Sequence, residues 1–87
     1  MNRTHTLKLH VRYWDAVMRG FKSFELRKMD RPYELGDYIH FVKINRDGKA
    51  VDELKKNLFQ IVYILEDVPQ YGLSSDYCIL GIQKVES

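Results

Sequence analysis

The stretch Lys22-Ser23-Phe24-Glu25-Leu26-Arg27 brings an ammonium, a hydroxyl, a carboxylate and a guanidinium together along a few residues. Hydrogen bonds between ionised groups, or from them to a ligand, are the strong ones. Ser23, Glu25 and Arg27 alternate with Phe24 and Leu26, the period-2 pattern of a strand. The polar side chains are therefore expected on one face, along a cleft, and Phe24 and Leu26 on the other, pointing into the interior. Lys22 falls at the loop-to-strand junction, where strict alternation need not hold, so its amine can swing toward the polar face. The plainer reading is an ion pair on a solvated sheet face, which contributes roughly 0 to 1 kcal/mol.

The elements that would position this group follow from periodicity. Thr6 to Val11 alternates with Leu7, Leu9 and Val11 on one face, as a half-buried strand does. Tyr13, Trp14, Val17 and Met18 then form one face of a short helix over Arg12 to Arg19, which Gly20 can end in the left-handed conformation. The strand carrying Glu25 comes next, and Gly36-Asp37 reads as a tight turn feeding a strand from Tyr38 to Ile44. Asp47-Gly48 is a hairpin signal, while the charges and spacing of residues 51–57 equally suit one helical turn. Leu58 to Leu65 is β-branched and aromatic, Glu66 to Asp76 is a loop with Pro69 and Gly72, and Tyr77 to Val85 is a last strand interrupted by Gly81. The order β-α-β-β-β-β leaves no room for crossover helices after the second strand, so a parallel α/β sheet is excluded. The pattern fits a small, partly open α+β barrel forming a single domain over residues 1–87.

Composition narrows the function. The 87 residues are 45% hydrophobic and 30% charged, as in an ordinary globular domain, and too few to hollow a deep cavity for a large cofactor. No apolar run approaches the roughly 20 residues of a membrane helix, and the first residues lack an export signal, so a cytoplasmic location is expected. The lone Cys78 excludes an internal disulfide and a CxxC pair, and it reads as a small strand hydrophobe. His5, His10 and His40 lack metal-site spacing, so no metal is expected, and no cofactor either. Residues 1–46 hold ten Lys/Arg against five Asp/Glu, whereas residues 47–87 hold four against seven. That asymmetry creates a local field able to attract a polyanion, although a solvated basic face explains it as simply.

The string Gly20-x-Lys22-Ser23-x-Glu25-x-Arg27, with a helix before it and Gly36-Asp37-Tyr38-Ile39 after it, resembles the ASCH domain of the PUA-like superfamily. The similarity is greater to a short branch found in phage and bacterial genomes. It extends through His5-Thr6-Leu7-Lys8, Phe24-Glu25-Leu26-Arg27-Lys28, Asp30-Arg31 and Tyr77-Cys78-Ile79-Leu80-Gly81-Ile82, and is weakest over residues 46–57. Val11 and Met29 depart from the branch, which often has proline and asparagine there. The resemblance implies a PUA-like β-barrel of about five to six strands with a short helix after the first. It also implies a cleft lined by the Gly-x-Lys-x-x-Glu-x-Arg motif, with RNA or a nucleotide-like ligand as partner. The residue chemistry is compatible with this. Lys22 and Arg27 can neutralise phosphate or hold a base carbonyl, Glu25 can accept from a base amine, and Lys8, Lys28 and Arg31 extend the basic border. Tyr13, Trp14 and Tyr33 are candidate stacking platforms, although Tyr13 and Trp14 equally suit the packed face of the helix.

Two other classes stay open at this level. Some ASCH proteins are amidohydrolases acting on N4-acylated cytidine, which would give catalytic roles to Lys22 and to Ser23 or Glu25. The threonine of those relatives is Glu25 here, and Glu66 and Asp67 are the nearest acids for their third role. A protein-interaction adaptor could instead use Tyr33, Tyr38, Tyr63, Tyr71 and Tyr77.

Overall fold

The structure, a computed structural model, describes residues 2–51 and 56–86. The chain runs β1 (Thr4–His10), α1 (Val11–Met18), β2 (Phe24–Lys28), β3 (Tyr38–Ile44), β4 (Phe59–Leu65), a 3-10 turn (Pro69–Tyr71) and β5 (Tyr77–Lys84). The five strands form one sheet in the order β1-β3-β4-β5-β2, curled into a half-barrel. The β1/β3 pair is parallel and the other pairs are antiparallel. The parallel pair requires a crossover, which α1 and β2 supply between them.

Alternation decides which side chains enter the core. His5, Leu7 and Leu9 of β1, Ile39 and Phe41 of β3, Phe59 and Ile61 of β4, and Cys78, Leu80 and Ile82 of β5 all face inward. Trp14 and Val17 of α1 join them. The helix starts one residue earlier than its pattern suggests, so Val11 opens α1 and is exposed rather than ending β1. Gly20 has φ of 81° just past the helix, the left-handed conformation expected there. Gly81 does not interrupt β5. It lies where the β4 register shifts between Ile61 and Tyr63, and a Cβ at Gly81 would sit 3.2 Å from Tyr63 Cβ. This is a close backbone approach at a bulge, which only glycine fits without displacement.

At the far end of β3, Asn45 caps a turn through Gly48, and Ala50 bridges back to Ile44. The hairpin signal at Asp47-Gly48 is therefore realised, while most of the helical alternative falls on residues 52–55, outside the described residues. Cys78 is fully buried, and burial first, then Glu66 and Asp30, push its thiol pKa up, which suits a packing role.

The orientation of β2 reverses one expectation. Phe24 and Leu26 are 47% and 56% exposed, whereas Glu25 is only 4% exposed. The pairing register explains this, because Glu25 stands opposite Leu80 and Arg27 opposite Cys78, two inward positions of β5. A strand must share its neighbour's facing, so the charged face of β2 turns inward and the apolar face outward.

A second buried carboxylate organises the start of the fold. Asp37, fully buried, receives the backbone N–H groups of Arg3 and Glu34 at 3.1 and 3.0 Å and lies 2.8 Å from His5 Nε2. His5 in turn packs edge-on against the buried Tyr33 ring, with centroids 4.9 Å apart. Burial opposes ionisation of Asp37, but the hydrogen bonds from His5, Arg3 and Glu34 outweigh it and hold its pKa below the ordinary 3.8. A folded pKa below the unfolded value gives stability that is complete above the unfolded value and lost as pH falls through the folded one. Replacing Asp37 with alanine should lower the urea-unfolding free energy by about 2–4 kcal/mol at pH 7. The gap to wild type should narrow below about pH 4; a gap independent of pH would remove the carboxylate from this role.

Candidate functional site

The sheet does not close, and β1 and β2 are its two edges. A cleft of about 630 Å³ lies along this seam. One wall is Lys8, Leu9 and His10 of β1 with Tyr13 of α1, and the other is Lys22 with Phe24 to Arg27 of β2. Its size falls within the range of ordinary ligand pockets.

Glu25 sits in the middle. Its Oε1 accepts from Lys22 Nζ at 2.5 Å, and its Oε2 accepts from Arg27 Nε at 3.1 Å and Nη2 at 2.9 Å. Arg27 Nη2 also donates to the carbonyl oxygen of Lys8, so one guanidinium ties edge strand β2 to edge strand β1. Lys22 is delivered by the end of α1, where its N–H donates to Ala16 O at 2.9 Å. Its ammonium donates to Phe24 O at 2.9 Å and lies 5.2 Å from the Tyr13 ring centroid and 4.8 Å from that of Phe24. A cation between two aromatic faces is attracted to both.

Donor capacity remains after these bonds are made. A lysine ammonium carries three N–H groups and an arginine five. Lys22 spends two, and Arg27 leaves both N–H groups of Nη1 without a protein acceptor among the described residues. Lys8 is exposed at the rim and makes no ion pair among the described residues. The cleft therefore offers cationic donors over an aromatic and aliphatic wall, held in place by one carboxylate.

Of the residues singled out from the sequence, Lys8, Tyr13, Lys22, Glu25 and Arg27 meet at this cleft. Ser23 does not. It precedes β2, is exposed, and lines a separate groove of about 190 Å³ with Gly20 and Ile82. Lys28 shares the outward facing of Phe24 and Leu26, and Arg31 lies in the following loop, 3.8 Å from Asp30 Oδ1. Trp14 and Tyr33 are core residues rather than stacking surfaces, and burial raises the Tyr33 phenol pKa. Glu66 and Asp67 follow β4 and do not line the cleft. Of the five tyrosines, Tyr33 is internal, Tyr38 is half-buried at the start of β3, Tyr63 and Tyr77 are exposed strand residues, and Tyr71 lies exposed in the 3-10 turn.

Sequence reasoning missed His10, whose Nδ1 accepts the Arg12 N–H at 2.9 Å and caps α1. Histidine is not among the favoured caps, so composition gives no signal for this role. It also missed His5, although His5 shares the parity of Leu7 and Leu9 and could have been placed inside on that ground.

Residues 4–82 match the family described as a domain of unknown function, DUF3850. The chain belongs to this family. The match spans every element that builds the cleft, from β1 through most of β5. Over a 39-residue segment, 45% of the chain, this DUF3850 protein is 51% identical to the "Uncharacterized 12.9 kDa protein in GpA 3'region" of Escherichia phage P2. That segment covers 36% of the phage protein, so the similarity extends over about a third of the relative's length.

The network sets an order of mutational cost. Glu25→Ala strands two cations and should cost about 2–4 kcal/mol, less than a fully buried pair because Lys22 and Arg27 keep 19% and 21% of their side chains exposed. Arg27→Met, which also unties the seam, should cost more than Lys22→Met in urea unfolding. Equal, near-zero costs for all three would mean that the network is a solvated ion pair only.

Proposed function

We propose that the cleft binds a nucleobase of single-stranded RNA or of a nucleotide, and that the domain is a diverged ASCH module of the PUA-like kind. The observation that carries this reading is the Lys22–Glu25–Arg27 triad, with unspent donors beside an exposed aromatic ring. A base presents a flat face for stacking and polar atoms along its edge, and unstacked bases in RNA are recognised through both. Tyr13 supplies the ring, and Lys22 and Arg27 Nη1 supply the edge contacts. The motif resemblance, the helix after the first strand and the half-barrel topology support the same reading.

The geometry refines the role of Glu25. Both of its oxygens are engaged by Lys22 and Arg27, so it orients the two cations more than it reads a base amine. The free groups facing the ligand are donors, and they select edges rich in acceptors. Guanine, uracil and cytosine carry a carbonyl oxygen; adenine does not. Preference for carbonyl-bearing bases over adenine follows, with about 1–3 kcal/mol of discrimination for each good bidentate contact.

The hydrolytic alternative has no serine or threonine hydroxyl among the residues that line the cleft, and the Lys22 and Glu25 side chains there are bound to each other. Ser23 lies in another groove, and the only hydroxyl among the lining residues is the Tyr13 phenol. Binding is the better supported reading.

Titration with guanosine, uridine, cytidine, adenosine and short single-stranded RNAs tests it. Adenosine should bind most weakly, and Tyr13→Ala should weaken nucleoside binding by about tenfold, in line with the 1–3 kcal/mol of a base–aromatic stack. Lys22→Ala and Arg27→Ala should weaken binding of guanosine, uridine and cytidine more than that of adenosine, as loss of a base-edge contact relaxes specificity. No binding across the panel, or unchanged affinity in all three folded variants, would refute the reading.

A further inference from the structure

His10 forms a wall of the cleft and also a wall of a second, more open cavity of about 720 Å³, whose other lining residues are Val11, Arg12 and Arg46. The two cavities therefore meet at one residue. We infer that the second cavity is a phosphate subsite formed by Arg12 and Arg46, so that the ligand is a phosphorylated nucleotide or a strand backbone rather than a free nucleoside. The inference rests on the proposed base-binding role of the neighbouring cleft.

Three observations carry it. First, both guanidinium groups are uncommitted: neither makes an ion pair or side-chain hydrogen bond among the described residues. Asp15 and Asp47, the nearest carboxylates in sequence, pair with neither. The Arg12 guanidinium lies 5.5 Å from the centroid of the Tyr13 ring, which joins the proposed phosphate site to the proposed stacking ring. Second, Arg12 occupies the first turn of α1, which contains no acidic residue. A cation there is disfavoured by the helix dipole, so helix stability gives no reason for its position, whereas an anion beside it would be favoured. Third, His10 Nδ1 accepts a backbone N–H, so in the neutral ring the proton is on Nε2. The boundary residue is thus a donor as well, and it can reach a ribose or phosphate oxygen that passes from one cavity to the other.

Arginine suits this task. Its planar fork matches phosphate oxygens in a bidentate manner, and two such groups facing one cavity form a clamp for a dianion or for successive backbone phosphates. A free nucleoside would leave the clamp empty. The order of contacts is then base against Tyr13 and Arg27, sugar past His10, and phosphate between Arg12 and Arg46.

Calorimetric titration of each nucleoside against its 5′- and 3′-monophosphate, in wild type and in the Arg12→Ala/Arg46→Ala double variant, tests the assignment. Both arginines are exposed, so the variant should retain the wild-type circular dichroism spectrum. At least one monophosphate should bind wild type about tenfold or more tightly than its nucleoside, and the double variant should lose that gain while keeping its nucleoside affinity. Tyr13→Ala should show the converse, with both ligands weakened and their ratio preserved. Nucleosides and monophosphates that bind wild type equally, or a ratio that survives in the double variant, would overturn the phosphate subsite and leave the base-binding reading standing. Failure of every nucleoside and nucleotide to bind would overturn both.

Discussion

A carboxylate on the inner face of a small half-barrel is the constraint around which this domain is arranged. Burying Glu25 without partners would cost several kcal/mol, so its position requires cations from both sides. Lys22 comes from the end of α1 and Arg27 from the same strand. The second of these reaches past Glu25 to the Lys8 carbonyl and spans the gap that the sheet leaves open. The width of the seam, the tilt of the guanidinium and the placement of the ammonium between Tyr13 and Phe24 all follow from satisfying one negative charge. The cleft is what remains between two edges held at that separation.

The other buried carboxylate gives a useful contrast. Asp37 receives its bonds from His5 and two backbone N–H groups, all of them internal, and it fixes the turn into β3 against the start of β1. Among the described residues, none of its partners faces the cleft with unspent donors. The groups around Glu25 do, because Lys22 and Arg27 each keep hydrogen-bonding capacity directed away from their shared partner. Similar burial thus serves structure at one end of the sheet and leaves hydrogen-bonding capacity at the other. The difference lies in whether the partners are exhausted.

Much of this was legible in the residues, and the exceptions have specific causes. Every strand and the helix follow from periodicity to within a residue or two, since Leu7 and Leu9, Tyr13 to Met18, and the β-branched run near Ile61 are strong local signals. The Lys22, Glu25 and Arg27 cluster was recognisable because its spacing obeys strand alternation. What alternation could not give was the direction. Phe24 and Leu26 are the apolar pair, yet the register with Cys78 and Leu80, a long-range fact, turns them outward. The same limit applies to Ser23, which lies just outside the strand and escapes its parity, and to Arg12 and Arg46, which are 34 positions apart and meet only because β1 and β3 run in parallel. His5 is the one residue that stricter use of the same rule would have placed correctly.

The account is tested most directly by amide chemical-shift mapping of the isotopically labelled domain during titration with guanosine 5′-monophosphate and a short single-stranded RNA. Perturbations should concentrate at Lys8, His10, Tyr13, Lys22 and Arg27, on the two walls of the seam, and extend to Arg12 and Arg46. Perturbations confined to the outward face of β4 and β5, around Tyr63, Tyr77 and Ile79, would contradict the central claim that the triad built on Glu25 frames the binding site.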